Sequence, residues 1–283
     1  MKRNHREKFM QHSDIRLLVL DIDGTIAGKS NHIREPVLSA IAKAQNQGIQ
    51  IAIATGRMYR SALRFHEKVR STLPLIAYQG AWIQDPTTGE VLRRWSVPKA
   101  QVSELLDYFE QPKLRELLSI HFYINDELYV RSMTPETTAY AQRTGIVPIE
   151  VGDLRSTFHM ETTKVLALSD DTELINSMLG TLQKQYTPAE LYLTKSVATF
   201  FEATNPAANK GAAVKYLAEE FLNLKPENVM AIGDNFNDLE MIQYAGIGIA
   251  MGNAPPRVQE VAQWVAPSVE VDGAATAIEK FLF

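Results

Sequence analysis

Asp21 and Asp23 stand two residues apart in Asp21-Ile22-Asp23-Gly24-Thr25, immediately after the apolar run Ile15-Arg16-Leu17-Leu18-Val19-Leu20. Such a run ends as a buried strand, and the carboxyl end of a strand is where open α/β sheets bind ligands. Two acids there are costly without a cation. A Mg²⁺ ion, preferring hard oxygen ligands, would hold a phosphate oxygen and cancel the repulsion between carboxylate and phosphate, leaving Asp21 free to act as a nucleophile. Strand alternation separates the two jobs, with one side chain facing the ligand while the loop turns the other. A polar turn whose acid caps a helix explains the same five residues, and this segment alone does not decide between them. A calcium loop fits less well, because one starting at Asp21 needs a Glu at its twelfth position and position 32 is His.

A second acidic cluster, Gly233-Asp234-Asn235-Phe236-Asn237-Asp238, follows the apolar Val229-Met230-Ala231-Ile232. If the two strands are parallel neighbours, Asp234 can complete the coordination of an ion held by Asp21 and the backbone carbonyl of Asp23. Asp238 reads equally as a ligand or as a helix-start acid. Thr55, in Thr55-Gly56-Arg57, and Lys210, before Gly211, add a hydroxyl, a helix start suited to anions and a positive charge. Taken singly, each is more often a helix cap or a solvated lysine.

These residues need elements that bring them together, and the chain supplies an alternation of strand and helix. Val37, Leu38, Ile41, Ala42 and Ala44 recur at helical spacing between Pro36 and Gln47, and Gly48 can close that helix. Ile49 to Ala54 reads as a second buried strand ending at Thr55, and Leu75 to Tyr78 as a third. Alternation resumes after Pro206 with a helix from Lys210 to Leu222, the strand Val229 to Ile232, a helix from Asp238 to Ala245 and a strand from Ile247 to Ala250. The implied class is α/β, a doubly wound parallel sheet with a Rossmann-like core formed by residues 14–84 and 204–283.

Between Asp85 and Ala203 the texture changes, starting at the turn cluster Asp85-Pro86-Thr87-Thr88-Gly89. Residues 85–203 are expected to form an inserted α+β cap domain. Within it, Val102 to Glu110 and Glu173 to Gln185 read as helices, His121 to Val130 as a hairpin through Asn125-Asp126, and Thr163 to Leu168 and Ala198 to Glu202 as strands.

A length of 283 residues suits one large domain or two moderate ones, and the shares of hydrophobic (45%) and charged (22%) residues are those of a globular chain. A formal net charge of -4 argues against a nucleic-acid surface. No apolar run approaches the roughly 20 residues that span a bilayer, and Met1 to Ser13 reads as a mobile tail, not a signal peptide. The chain has no cysteine, which excludes disulfides, thiolate catalysis and cysteine-held zinc, and fits a cytoplasmic location.

Taken together and in order, Asp21-Ile22-Asp23-Gly24-Thr25, Thr55, Lys210-Gly211 and Gly233-Asp234-Asn235-Phe236-Asn237-Asp238 resemble the four motifs of the haloacid dehalogenase-like phosphohydrolase superfamily. The long insert between the second and third resembles its Cof-type subgroup, whose substrates are typically sugar phosphates, nucleotides, flavin mononucleotide or pyridoxal phosphate. Glu202 and Ala245-Gly246-Ile247-Gly248-Ile249-Ala250-Met251-Gly252-Asn253-Ala254 extend the likeness to nearly all of the chain after Ser13. It implies a phosphatase for small phosphorylated metabolites, with Asp21 as nucleophile and Asp23 as general acid and base. Asp21, Asp23 and Asp234 would hold Mg²⁺, Asp238 would support them, and Ile22, Thr55, Gly56, Lys210 and Asn237 would bind phosphate. No organic cofactor is implied. Two positions depart from the family's habit: Gln79-Gly80-Ala81 stands where Asn-Gly-Ala is frequent, and Ala207-Ala208 where Gly-Val is.

A phosphohexomutase of the same superfamily shares the aspartyl-phosphate chemistry and is the enzymatic alternative, distinguished by its need for a bisphosphate activator. A phospholigand-binding regulator without turnover is the other, and the acidic quartet Asp21, Asp23, Asp234 and Asp238 weighs against it, since buried like charges are expensive without a functional ion. Because all the motifs lie outside the insert, the insert is expected to choose the leaving group. His121, Tyr123 and Lys164 are its candidate readers, although a half-buried strand face accounts for His121 and Tyr123 taken singly, and a solvated lysine at a strand start for Lys164.

Overall fold

Leu17, Leu18, Val19 and Leu20 are all fully buried, as befits a strand covered on both faces. The computed structural model describes residues 14–283, so the tail expected at Met1 to Ser13 lies outside the described residues. The first stretch of chain runs β1 (Leu17–Leu20), α1 (Glu35–Asn46), β2 (Gln50–Ile53), α2 (Tyr59–Lys68), β3 (Leu75–Ala77), β4 (Trp82–Gln84) and β5 (Val91–Arg94). Next come α3 (Lys99–Phe109), β6 (Ser119–Ile124), β7 (Glu127–Val130), α4 (Pro135–Thr144), β8 (Ile149–Glu150), β9 (Thr162–Leu168), α5 (Thr172–Gln185), β10 (Tyr192–Thr194) and β11 (Phe200–Thr204). The last stretch is α6 (Lys210–Lys215), β12 (Val229–Gly233), α7 (Leu239–Tyr244), β13 (Ile247–Ala250), α8 (Pro256–Val261), β14 (Trp264–Val265) and α9 (Gly273–Leu282).

Five strands form a parallel sheet in the order β14-β13-β12-β1-β2. β1 therefore has β2 on one side and the much later β12 on the other, which is a switch point of a doubly wound sheet. Leu20 lies opposite both Ile53 and Ile232, so the chain leaves all three strands at one level. Register alone thus brings Asp21, Thr55 and Asp234 to one edge.

The second sheet has the order β10-β11-β9-β6-β7-β8 and is antiparallel apart from the β7–β8 pair. Phe122, Ile124, Val165 and Phe201 on one face pack with Leu105 and Phe109 of α3 and Ile175 and Met178 of α5. On the other face Tyr123, Leu166 and Leu168 join the apolar cluster that includes Tyr78 and Trp82. With both faces covered, β9 is buried along its whole length. The turn at Asp85–Gly89 joins β4 to β5, and β4 pairs with β3 on its other side in a small antiparallel sheet. Past this hairpin, the amide of Val97 bonds the carbonyl of Thr162 at 2.8 Å, joining the strand's onward path to the second sheet.

The helix expected from Lys210 to Leu222 is regular only to Lys215 and continues as a π-type turn over Tyr216–Phe221. α4 was not anticipated. Its ten residues, Pro-Glu-Thr-Thr-Ala-Tyr-Ala-Gln-Arg-Thr, carry no apolar stripe, and only Thr137 and Thr144 are buried. Its ends do carry signals: Thr134 accepts from the amide of Thr137 ahead of Pro135, and Gly145 at φ 73° closes the helix. No helix among the described residues is long and apolar enough to cross a membrane.

Candidate active site

Lys210, at the first position of α6, is fully buried, and its ammonium donates to Asp21 Oδ1 and to Asp238 Oδ1, both at 2.6 Å. The second oxygen of Asp238 accepts from the amides of Asp234 (2.9 Å) and Asn235 (3.0 Å). Asp238 is therefore committed on both oxygens, and it sets the turn that carries Asp234. Asp21, Asp234 and Asp238 each place a carboxylate oxygen within 4.8 Å of the others. Gly24, at φ 81°, makes this approach possible, since a Cβ there would stand 2.1 Å from Asp234 Oδ2. Asn253 steadies the same oxygen at 3.0 Å and the carbonyl of Gly24 at 2.9 Å.

Burial pushes the Asp21 carboxyl up, and the charge of Asp238 adds to this while Lys210 opposes it. Burial, with Asp21 and Asp238 as neighbours, likewise raises Asp234. Two carboxyls that hold protons above their usual range, beside a lysine already shared by two acids, mark a place built for more positive charge. Hard oxygen donors, converging and partly free of protein partners, fit a divalent cation such as Mg²⁺. For Lys210, burial lowers its proton affinity, but the charges of Asp21 and Asp238 more than compensate, so it stays protonated.

Asp23 points elsewhere. Arg57 grips it through Nε and Nη2, both at 2.6 Å, and Arg143 of α4 adds a contact at 2.9 Å. Burial works to raise the Asp23 carboxyl, but the hydrogen bonds and charges of Arg57 and Arg143 outweigh it and hold the group below the usual range. Arg57 Nη2 also donates to Asn31 Oδ1 at 2.6 Å.

Thr55 is buried, and its hydroxyl accepts from the amide of Arg57 at 3.2 Å. The helix start after Thr55 is not available to an anion: the amides of Tyr59 and Arg60 both donate to Asp126, at 3.0 Å. Gly56 packs so closely that a Cβ would stand 2.3 Å from Gln79 Nε2. Asn237 donates to Gln79 Oε1 at 3.0 Å, Gln79 to Glu202 at 3.1 Å, and Lys164 to Glu202 at 2.9 Å and to the carbonyl of Gly56 at 2.8 Å. Gln79, one of the two departures noted in the sequence, thus joins Asn237 to the second sheet by a buried polar chain. Glu202 is held ionised there: burial would raise it, but Lys164 and the bonds from Ser196 and Gln79 bring it down.

A cavity of about 770 Å³ opens over these groups, between the two sheets. Its floor includes Asp21, Asp23, Thr55, Asp234 and Asn237, and its far wall is one face of α4: Glu136, Tyr140, Arg143 and Thr144. Lys164 is on the wall, with its ammonium already engaged. His121 and Tyr123 do not line the cavity; both are fully buried, and their rings pack against Tyr140 with centroids 5.1 and 6.4 Å away. Sequence reasoning overlooked Arg57, Tyr140 and Arg143. Arg57 follows directly on Thr55-Gly56, whereas the other two sit on the helix whose caps were its only signal.

The family profile described as haloacid dehalogenase-like hydrolase matches residues 18–278. A 5-amino-6-(5-phospho-D-ribitylamino)uracil phosphatase of Bacillus subtilis is 27% identical over 273 residues, covering 94% of this chain and 97% of the relative. A phosphoglycolate phosphatase of Methanothermobacter thermautotrophicus is 27% identical over 274 residues, with 95% and 99% covered. Among solved structures, a haloacid dehalogenase-like hydrolase from Bacteroides thetaiotaomicron superposes with a TM-score of 0.80 at 26% identity, covering 94% of this chain and 99% of the other.

Proposed function

This chain belongs to the haloacid dehalogenase-like hydrolase family, in its Cof-type subgroup, and is a phosphatase; we propose that it hydrolyses small phosphate monoesters through an aspartyl-phosphate on Asp21. The observation that carries the reading is the meeting, at the carboxyl edge of β1, of Asp21 with Lys210 at 2.6 Å and with Asp234 in the same acidic cluster, under a cavity whose side wall is the second sheet's α4. Mg²⁺ held by Asp21, Asp234 and the backbone carbonyl of Asp23 would supply the positive charge that shields phosphate from the carboxylates.

With Oδ1 bound to Lys210, Asp21 presents its other oxygen to phosphorus. The Asp21–phosphorus bond forms as the phosphorus–oxygen bond to the leaving alkoxide breaks, and Asp23 passes a proton to that alkoxide. Water then attacks the acyl phosphate, Asp23 takes the water's proton, and inorganic phosphate leaves. Lys210, with Thr55, Asn237 and the loop amides of Ile22 and Gly56, stabilises charge on the non-bridging oxygens throughout. Asp23 is ionised while both arginines hold it, which suits the base step. The acid step requires substrate to displace Arg143, whose side chain is 46% exposed against 7% for Arg57.

Purified protein should release inorganic phosphate from small monoesters with Mg²⁺ and stop in EDTA. Asp21→Asn, matched in shape but without the nucleophile, should lose at least ~10⁴-fold in kcat with the fold retained. Turnover by that variant within tenfold of wild type would exclude Asp21 as the nucleophile.

A further inference from the structure

α2 lacks an N-terminus of its own making. Its N-cap, Met58, has no side-chain acceptor, and its first turn contains no acid. The missing acceptor comes from the other sheet: Asp126, in the β6–β7 turn, receives the amides of Tyr59 and Arg60 at 3.0 Å on its two oxygens. Oδ1 also accepts from the hydroxyl of Tyr78 at 2.7 Å and Oδ2 from Arg60 Nε at 3.3 Å. A carboxylate that is 7% exposed and takes four donors is placed, not incidental. Its turn is built for the purpose, with Asn125 and Asp126 at φ 51° and 60° and Asn125 held by Arg94 at 2.7 Å.

Tyr78 connects this anchor to the site. Its amide donates to the carbonyl of Arg57 at 2.9 Å, and the next amide, Gln79, to the carbonyl of Thr55 at 3.0 Å. The two loops are thereby zipped, and Asp126 grips both, one through α2's first amides and the other through the Tyr78 hydroxyl. Tyr78 and Gln79 are consecutive non-glycine residues at φ 52° and 61°, a costly backbone that persists only where its surroundings fix it. Arg57, the residue before Met58, holds both oxygens of Asp23.

We infer that Asp126 is a positioning residue for the site: from the second sheet's hairpin it completes the N-terminus of α2 and so fixes the Thr55–Arg57 loop and the aim of Arg57 on Asp23. Docking of the hairpin and assembly of the site become one event. The positive end of α2 serves this joint and not the substrate's phosphate. The inference rests on the proposed function only where it concerns rate.

Asp126→Ala and the milder Tyr78→Phe, which loses one of the four donors, test it by exchange and by kinetics. In wild type the amides of Tyr59 and Arg60 and the Nε–H of Arg57 should be protected from hydrogen exchange. In Asp126→Ala all three should exchange at least ~10-fold faster, with Tyr78→Phe intermediate. Well below the melting temperature, kcat for acetyl phosphate, too small to span the cavity, should fall ~10-fold or more while KM moves less than ~3-fold. Loss of protection at Tyr59 and Arg60 with Arg57 Nε–H unchanged would overturn the inference, as would an unchanged kcat. A wild-type protein without phosphatase activity would count against the proposed function alone, because the exchange of Arg57 still decides the positioning role.

Discussion

Arg143 donates from Nη2 to Asp23 Oδ1 at 2.9 Å, while its own carbonyl accepts from Asn31 Nδ2 at 2.8 Å. One residue of α4 is thus tied to the segment that follows β1 by side chain and backbone together. The tie is exposed, whereas the joints at Asp126 and at Lys164–Glu202 are buried.

Replacing Arg143 by Ala removes one of the two cations that hold Asp23 below its usual range. The Asp23 carboxyl should rise toward its ordinary range. Because kcat/KM includes the proton-donating step, its descending, high-pH limb should move to higher pH. An unmoved limb would mean that Arg57 alone governs Asp23, or that Asp23 is not the acid.

Lys210→Met and Asp234→Asn should both cripple turnover, for opposite electrostatic reasons. The first strips a buried cation from two buried carboxylates and should cost about 3–5 kcal/mol of stability, while leaving the Mg²⁺ requirement of any residual activity little changed. The second removes an acid that burial and its neighbours already keep partly protonated, so stability should hold. It should instead raise the Mg²⁺ concentration for half-maximal activity. Thermal melts and Mg²⁺ titrations separate the two, and identical titrations for wild type and Asp234→Asn would remove Asp234 from the metal site.

Those acids were legible in the sequence because Leu17–Leu20 and Val229–Ile232 are unbroken apolar runs, the first followed directly by Asp21 and the second by Gly233 and then Asp234, and parallel pairing does the rest. The hairpin through Asn125-Asp126 was legible from its turn residues, yet not that Asp126 would cap a helix 67 residues earlier. Nothing local encodes such a partner: Met58 simply lacks a cap. The wall of the cavity was illegible for a different reason, since α4 faces a void and has little apolar surface to betray its period. His121 and Tyr123 drew notice as polar groups on a strand, and strand alternation placed them on the face that packs against Tyr140.

His121 makes the fold sensitive to acid. Burial, with the Lys164 charge nearby, pushes the imidazole down to about 3, far below its unfolded value near 6.5. Between those two values the unfolded chain binds a proton that the folded chain does not, so stability rises with pH across that window and is lost as pH falls from 6.5. The loss is about 1.4 kcal/mol per unit, or ~2 kcal/mol by pH 5. His121→Gln, whose amide reaches as far as Nε2 and can still meet Thr137, should flatten the pH dependence of urea midpoints by that amount relative to wild type. Parallel curves for the two proteins would show that the imidazole takes up its proton as readily in the folded chain as in the unfolded one.

Substrate choice should reside in Tyr140 more than in Lys164. Tyr140 is on the wall of the cavity beside Phe200, ring centroids 6.1 Å apart, where the body of a leaving group must pass. Tyr140→Ala should lower kcat/KM for the best ring-bearing substrate by over ~10-fold, or about 1.4 kcal/mol, and scarcely affect acetyl phosphate. Lys164 spends its charge on Glu202 and on the carbonyl of Gly56, in a pair whose side chains are 4% and 0% exposed. Lys164→Met leaves Glu202 buried and unpaired and frees the loop beside Thr55, so it should weaken both substrates alike and lower the melting temperature. His121 and Tyr123 reach the substrate only through Tyr140, and changing them should follow the Tyr140 pattern in weaker form. If Lys164→Met instead spared acetyl phosphate while Tyr140→Ala harmed both substrates equally, the roles would be reversed, with the lysine reading the leaving group and the tyrosine supporting the fold.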